Sequence, residues 1–468
     1  MSRIRVGSRC CLVLALAAAG LEAQEATLTI GDAIRATLAR NPDLLNSLDT
    51  LAVTRWSEKA VRSSYLPQFT PFLATARDPD TGQRLDSYGF NASEQFSFGP
   101  LFTASGIVTR DPVATPATPY ASAYNLSLTQ PLLKGLDPAV TREPLREARR
   151  STQAQERSLE VTRRSAILAV YSAYLSVVRE DRALSIARER LARARELTAF
   201  SRARFTAGSV SRLDVLRAEQ QEASTETTVI DEANAAEDAR DILRRAAGLP
   251  RDMTFAVRPP GDLPLSEPPL DEAVAGVMDR RPEAQEARDQ VVDSEFAVRI
   301  AKSEQLPSLS AVLGYAFAAL GNSAGDVWKP KNPIFTFGFR TDYNLNATAL
   351  YAARRTAEVQ LETRRRNLGI FEDDLVRDVR RTYRRLDAVT KNLAIATENL
   401  RVAELQLEVA RLRFEKGLSD NFNVIDAENL LNTSKLFELD QRIALILARL
   451  DCLFTSGALS ADAFRSQP

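Results

Sequence analysis

The sequence predicts a mainly α protein with β-strands, an α+β fold built from long antiparallel coiled-coil helical hairpins and amphipathic strands. Three observations predict it. Apolar residues from Leu386 to Phe414 alternate spacings of three and four, which is typical of a coiled-coil helix. Aromatic and polar residues alternate along 335–345, which is typical of a strand with two different faces. Matched blocks recur in the same order in two parts of the chain, which indicates an internal repeat.

The first element along the chain is a predicted secretory signal peptide, residues 1–23. Basic residues up to Arg9 precede an apolar run over 10–19, and small residues near Ala23 suit a cleavage site. The run is too short to span a bilayer, because a spanning helix needs about 20 apolar residues. Its two cysteines lie at its start and not behind a lipobox, so cleavage near Ala23 is favoured over the alternative, a lipid anchor.

The composition argues against several classes of function. Lys plus Arg and Asp plus Glu number 61 each, so the nearly neutral chain gives no support for a nucleic-acid partner. The sequence has no histidine, and Cys452 is the one cysteine that follows the signal peptide. The commonest general base and the commonest metal ligands are therefore missing, and a single cysteine forms no intramolecular disulfide. We expect no enzyme, no cofactor and no metal site.

The mature chain reads as one unit present twice. The segment 65–67 matches 305–307 at a separation of 240 residues, and the segment 204–208 matches 413–417 at a separation of 209 residues. The first copy therefore holds about thirty extra residues between the matched blocks. The predicted boundaries are 24–249 for the first repeat, 250–269 for a Pro-rich linker, 270–456 for the second repeat and 457–468 for a C-terminal tail.

Each repeat is predicted to contain helix, then strands, then a long helical hairpin. The first repeat has a short helix, strands at about 68–133 and a hairpin at about 138–248 with its tip at 204–214. The second repeat has short helices, strands at about 308–345 and a hairpin at about 347–454 with its tip at 413–423.

A helix over 138–205 would be roughly 100 Å long, far longer than a globular domain needs. Periodicity alone would favour a structural coiled-coil stalk. The predicted seam of the first hairpin has small residues that let neighbouring helices approach closely: Leu184, Ala187, Leu191, Ala194, Thr198, Ser201 and Phe205. The predicted seam of the helix that returns from the second tip is Phe422, Ile425, Asn429, Asn432, Leu436, Leu439, Ile443, Ile446, Leu450 and Leu453.

The strands have one aromatic and one polar face. Aromatic residues of 335–345 alternate with polar residues that include Arg340, and 124–129 repeats the pattern. In an exported protein this pattern is typical of a barrel strand between lipid and water, whereas a soluble sandwich strand with one wet face is the alternative. The extra segment 86–119 also contains strand-like pieces, for which barrel strands, an outer loop and a plug all stay open.

The two hairpins are predicted to turn tightly. Gly208 and Gly417 occupy positions where a left-handed backbone conformation ends a helix. Ser211 and Asp420 are suitable N-caps for the returning helices. Asp214 lies three residues after Ser211 and fits a variant of the capping box.

Three motifs in this order resemble the TolC-like outer-membrane efflux proteins. They are the Arg-Phe-x-x-Gly-x-x-x-x-Leu-Asp-Val-Leu block at 204–216, its echo at 413–425, and the Leu-Thr-Gln-Pro-Leu-Leu segment at 128–133 that leads from a strand into a long helix. The resemblance covers about 28–454. The second repeat departs from the first at its strand-to-helix corner, where Tyr343-Asn344-Leu345 replaces Gln130-Pro131-Leu132.

The resemblance implies a homotrimer in the outer membrane of a Gram-negative bacterium. Its protomers would jointly build a transmembrane β-barrel in outer-membrane lipid, continued by an α-helical barrel through the periplasm. The implied function is that of a passive duct in tripartite efflux or type I secretion. The implied partners are a periplasmic adaptor and a proton-driven or ABC-type inner-membrane pump. A periplasmic structural coiled-coil or adaptor-type protein without a channel is the alternative.

The resemblance also implies site residues at the tips. Asn423 and Asp426 match an aspartate pair that rings the narrowest part of the pore, and Asp420 and Asp214 complete the candidate constriction. Capping is the competing interpretation for Asp214 and Asn423, a solvated helix face for Asp426, and core packing for Phe205 and Phe414. The candidate adaptor-docking and turn residues are Arg204, Phe205, Gly208, Ser211, Arg413, Phe414, Gly417 and Ser419.

Overall fold

The computed structural model describes residues 26–78, 80, 84–111, 117, 119–259, 267–329, 331–343 and 345–459. The predicted signal peptide and most of the predicted tail lie outside these residues. The described chain is mainly α-helical with an antiparallel sheet, which confirms the predicted α+β class. None of the described helices combines the length and the apolar composition that a membrane span requires.

The described residues of the first half of the chain form five helices. Asn41 lies between the first two helices. Its side chain accepts hydrogen bonds from the backbone N–H groups of Asp43 and Leu44 and thereby caps the second helix. Pro42 follows at the first helical position, where no N–H group is needed. The helices are α1 (Ile30–Arg40), α2 (Pro42–Ser63), α3 (Pro138–Thr141), α4 (Glu143–Thr206) and α5 (Arg212–Ala247).

In the second half, the part that the structure describes forms four α-helices, and proline again starts the second of them. They are α6 (Leu270–Arg280), α7 (Pro282–Glu304), α8 (Thr348–Glu415) and α9 (Asn421–Thr455). Helices α4 and α8 have 64 and 68 residues, so each is roughly 100 Å long.

Each long helix packs against two shorter helices placed end to end. Helix α4 contacts α5 toward the tip and α2 toward the sheet, and α8 contacts α9 and α7 in the same way. The end of α5 lies against the start of α2, since Asn41 Nδ2 donates to the Ala246 carbonyl oxygen at 2.9 Å. Each half therefore forms a rod two helices wide along most of its length, and α4 joins the rods through contacts with α7 and α9.

The main core lies midway along the rods, around Tyr174 on α4. The Tyr174 hydroxyl donates to the carbonyl oxygens of Leu28 and Arg258, at 2.9 and 2.5 Å. These carbonyls flank β1 (Ala26–Leu28) and β6 (Phe255–Val257), which pair in parallel, so the predicted linker contains a strand that the sequence analysis did not predict. The core draws on β1, α1, α4, α5, β6 and α9 through Leu28, Ile34, Tyr171, Tyr174, Leu243, Phe255 and Leu450.

A six-stranded antiparallel sheet lies at one end of the rods, in the order β2-β3-β4-β5-β7-β8. The extra segment forms two of its strands. The connections from the sheet into the two long helices differ. Asp137 caps the short helix α3 that precedes α4, whereas α8 has neither a preceding short helix nor a side-chain cap. The strands are β2 (Gln68–Arg77), β3 (Arg84–Gln95), β4 (Leu101–Arg110), β5 (Tyr120–Pro131), β7 (Ser308–Gly321) and β8 (Lys331–Asp342).

The seam predicted for α9 is wrong near the tip. Phe422 is 55% exposed, and four buried residues lie one position earlier than the predicted ones. An ideal α-helix drifts about 20° per heptad from a strict seven-residue repeat, so four heptads shift the buried line by almost one residue. Asn432, Leu450 and Leu453 are buried as predicted. The buried positions near the tip are Asn421, Val424, Glu428 and Leu431.

Gly248 is expected to be essential for joining α5 to α1. It has a left-handed φ of +64°, and a Cβ atom there would lie 2.7 Å from the Arg40 carbonyl oxygen. We expect Gly248→Ala to lower the free energy of unfolding by at least about 1–2 kcal/mol, because both the backbone conformation and the close approach exclude a methyl group. Chemical unfolding of the purified protein, followed by circular dichroism, measures the change.

Gly369→Ala is the matched control. Gly369 lies within α8, and its added Cβ atom would have no neighbour within 4 Å. Alanine is expected to stabilise the helix there by up to about 1 kcal/mol. Equal destabilisation by both substitutions would contradict the role assigned to Gly248.

Candidate functional site at the hairpin tips

The two tips have the same backbone turn. Gly208 and Gly417 have φ of +70° and +69°, which glycine adopts without steric cost. In the first tip, Ser209 N donates to the Arg204 carbonyl oxygen at 2.8 Å, and the second tip repeats this bond from Leu418 N at 2.9 Å. Such bonds satisfy carbonyl groups at a helix end and reverse the chain within a few residues.

The helices leave the two turns differently. Ser211 Oγ accepts from Asp214 N at 3.2 Å, and an Asp214 carboxylate oxygen accepts from Ser211 N at 3.0 Å, which completes a capping box. Asp420 occupies the N-cap position of α9 as predicted, but its side chain makes no cap hydrogen bond. Its carboxylate instead accepts from Asn423 Nδ2 at 3.3 Å and lies 3.7 Å from Arg217 on α5, which draw it away from the helix start.

Arg204 connects the first hairpin to the second. Its guanidinium donates to the Phe414 carbonyl oxygen at 2.8 Å and to the Glu415 carbonyl oxygen at 3.3 Å. These carbonyls belong to the last turn of α8, where the helix end carries partial negative charge, and the Phe414 carbonyl oxygen also accepts from Gly417 N at 3.0 Å. The guanidinium also lies 5.2 and 5.5 Å from the ring centroids of Phe200 and Phe414. We call this set of interactions the Arg204 contact.

The two tip phenylalanines are not equivalent. Phe414 is 4% exposed and packs with Leu407, Val424 and Leu431, as the core interpretation predicts. Phe205 is 44% exposed, so its predicted seam position is wrong. The side chain that faces α8 here is Arg204, one position earlier, and Phe205 is turned away from that helix.

Further polar contacts join the two tips. Asn421 is fully buried at the start of α9, and its Nδ2 donates to the Asp214 carbonyl oxygen on α5 at 2.7 Å. Farther from the turn, the side chain of Glu428 is 10% exposed and accepts from Arg193 Nε of α4 at 2.8 Å and from Arg411 of α8. Neither residue was predicted from the sequence, although polar residues at helical spacing among apolar ones were a usable signal.

A cavity of about 270 Å³ lies between the hairpins beside Glu428. Leu197, Phe200 and Phe414 form apolar parts of its wall, and Arg190 contributes charge. Burial lowers the pKa of the Arg190 guanidinium, and neighbouring Arg193 acts in the same direction. Within the described residues, no group of three or more His, Cys, Asp or Glu residues is placed to hold a metal ion.

The candidate constriction residues separate into two groups. Asn423 and Asp426 lie on the same exposed face of α9, in a groove that also contains Arg413 and Ser419. Asn423 Nδ2 donates to Ser419 Oγ at 2.7 Å, so Asn423 also stabilises the turn. The Asp426 carboxylate has no hydrogen-bond or ion-pair partner among the described residues. Asp214 is instead engaged in the capping box of α5.

Comparison with solved structures shows the same fold in outer-membrane channels. CmeC of Campylobacter jejuni has 14% identity and a TM-score of 0.70, covering 94% of this chain and 87% of CmeC. VceC of Vibrio cholerae has 13% identity and a TM-score of 0.71, covering 92% and 96%. The open state of MtrE of Neisseria gonorrhoeae has 18% identity and a TM-score of 0.67, covering 92% and 88%.

None of the curated proteins compared with the chain is similar enough to match. The family model described as "Outer membrane efflux protein" matches residues 33–249 and 276–451. These two segments make up more than half of the sequence and contain the first hairpin, nearly all of the second, and both tips. The chain therefore belongs to the outer membrane efflux protein family.

Proposed function

We propose that this outer membrane efflux protein works as a homotrimeric duct that a periplasmic adaptor opens for an inner-membrane pump. The observation that carries the proposal is the placement of an amphipathic sheet at one end of two rods and of reversing tips at the other. Rods of roughly 100 Å place the tips far from the sheet. The pump, proton-driven or of the ABC type, supplies the energy. No observation favours the alternative of a periplasmic coiled coil without a channel.

A second apolar seam on α8 supports assembly with other copies of the chain. Val402, Leu405, Val409 and Leu412 follow spacings of three, four and three, and are 39–48% exposed. Such a seam is typical of a helix that packs on a further partner. In the proposed trimer this seam packs against a neighbouring protomer, so that the rods form a closed α-helical barrel.

We place the narrowest part of the duct at the exposed face of α9 that carries Asn423 and Asp426. Three copies of Asp426 would form a ring of carboxylates, with Asp420 nearby on each turn. Because Asp426 has no partner among the described residues, its charge is free to act on permeating ions. A carboxylate ring in a narrow neck favours cations over anions.

We propose that the duct opens when the two hairpins of each protomer separate at their tips as rigid bodies. The contacts that must break are the Arg204 contact, the bond from Asn421 to the Asp214 carbonyl oxygen, and the Arg217–Asp420 ion pair. The MtrE structure is described as an open state, which supports the proposal that a channel of this fold can open. The exposed side chains of Phe205, Ser211 and Arg413, beside Gly208 and Gly417, form the proposed adaptor surface. The half-buried Arg204 and Ser419 and the buried Phe414 complete it.

The carboxylate ring is tested with Asp426→Asn. We expect the ratio of cation to anion permeability to fall several-fold, because the substitution removes one negative charge per protomer from the narrow neck. Single-channel reversal potentials in planar bilayers under a salt gradient measure the ratio. The control is Asp238→Asn, an exposed aspartate on α5 away from the tip, which is expected to leave the ratio unchanged. Unchanged selectivity in Asp426→Asn would refute the ring.

The gating role is tested with Arg204→Met. A hydrogen bond to a charged group contributes about 1.5–3 kcal/mol, so losing the Arg204 contact is expected to favour the open state about tenfold or more. Open probability in planar bilayers and entry of large antibiotics into cells measure the change. Arg204→Lys keeps the positive charge but not the planar guanidinium group, so it is expected to give an open probability between those of the native protein and Arg204→Met.

The matched control is Arg202→Met on the same helix. Arg202 is paired with Glu219 of its own hairpin at 2.7 Å, so its loss breaks no connection between the hairpins. If Arg202→Met opened the duct as much as Arg204→Met, the Arg204 contact would have no special role in closure.

A further inference from the structure

The two halves of the chain contribute unequal numbers of strands to the sheet. The second half supplies β7 and β8, and the first half supplies β2, β3, β4 and β5. The sequence matches leave about thirty extra residues in the first half. Strands β3 and β4 with their connection span 84–110, which accounts for most of this length. The extra residues are therefore a β-hairpin placed between β2 and β5.

This hairpin is a continuous part of the sheet. Strand β3 pairs with β2 over ten consecutive residue pairs, and β4 pairs with β5 over ten. The hairpin connection 96–100 lies at the end of the sheet near the rods, since Arg142 Nε donates to the Ser97 carbonyl oxygen at 2.9 Å. A plug or an outer loop would lack such pairing on both sides. Without the hairpin, β2 and β5 would be left as antiparallel neighbours.

The inserted strands continue both the aromatic and the polar face of the sheet. Phe90 on β3 stacks on Phe69 of β2 at 5.6 Å, on the face that also carries Tyr124 and Phe317. We call this the aromatic face. On the opposite, polar face, Thr103 Oγ1 of β4 and Ser127 Oγ of β5 are 2.8 Å apart in a hydrogen bond. Alternation of this kind is what a strand between lipid and an aqueous lumen requires.

We propose that residues 84–110 form part of the barrel wall and widen the outer-membrane mouth of the duct to eighteen strands. The inference rests on the proposed trimeric channel, in which β8 of one protomer pairs with β2 of the next and closes the ring. Six strands from each of three protomers give eighteen, whereas four from each would give twelve.

The functional consequence concerns where the duct limits its cargo. Barrel diameter grows roughly linearly with strand number, so eighteen strands make the mouth about 1.5 times as wide as twelve. Barrels of about this size enclose an aqueous channel. The mouth therefore admits larger molecules, and the size limit lies at the tips.

A cysteine scan of trimers in lipid bilayers tests the wall assignment. Cys452 is fully buried, so the native chain serves as background for single substitutions. Each cysteine carries an environment-sensitive fluorophore, and brominated lipid and aqueous iodide serve as quenchers. The aromatic-face positions are Ala92→Cys and Phe102→Cys with Leu126→Cys of β5 as reference; the polar-face positions are Ser93→Cys and Thr103→Cys with Ser127→Cys as reference.

We expect brominated lipid to quench the aromatic-face positions and iodide to quench the polar-face positions, in the inserted strands as in β5. If quenching alternates along β5 but not along the inserted strands, the assignment of residues 84–110 to the barrel wall is wrong, while the proposed channel remains supported. If β5 also fails to alternate, the proposed channel itself is wrong.

Electron cryomicroscopy of the same trimers supplies an independent strand count. The full chain is expected to show eighteen strands. Excision of 79–110 joins Asp78 to Asp111, makes β2 and β5 neighbours, and is expected to give twelve strands and a narrower barrel. A count of twelve in the full chain would overturn the proposal, whether or not the excised variant assembles.

Discussion

A rod that is two helices wide has no interior of its own, and this constraint governs how the chain distributes its apolar residues. Helix α8 buries one seam, which includes Val389, Leu407 and Phe414, within its own protomer. Its second seam, which includes Val402 and Val409, remains exposed in the single chain. Removing such a surface from water is favourable roughly in proportion to its apolar area. Closure of the rods into the proposed ring would give every helix a partner on both flanks, so the residues that shape the rod would also favour assembly.

The chemistry of the contacts changes along the rods. Midway along them, Tyr171, Tyr174 and Leu243 are almost fully buried, and burial raises the pKa of Tyr174 to about 12, so its hydroxyl stays protonated and donates. Near the tips, the hairpins are connected mainly by polar contacts, of which the Arg204 contact is partly exposed. Apolar packing is lost only when the whole surface separates, whereas partly exposed hydrogen bonds exchange with water one at a time, each at a cost of no more than about 1.5–3 kcal/mol. The rods are thus firmly joined at their centre and weakly joined at their tips.

Sequence periodicity could predict the helices of this fold but not every face of them. The seam of α8 kept a strict heptad over several turns, and residues such as Val389, Ala396 and Ala403 are buried as predicted. The seam of α9 shifted by one position, because a small difference in period accumulates over four heptads. Phe205 and Phe414 occupy matching motif positions, yet their burial differs, since the partner helices of the two hairpins are not the same. Contacts between the hairpins, such as those of Arg204 and Asn421, depend on tertiary placement that no local pattern records.

Glu428 limits how far a separation of the hairpins can extend from the tips. Its carboxylate is almost buried and accepts from Arg193 of the first hairpin and Arg411 of the second. Separating the hairpins at this level would break the bonds from Arg193 and leave Arg411 as the charged partner, so an almost buried carboxylate would lose part of its compensation. The Arg204 contact and the Arg217–Asp420 pair are more exposed and cost less to break. Opening of the proposed duct is therefore confined to the residues between Arg193 and the turn, a segment of roughly 20 Å on α4, while the rods above it stay together.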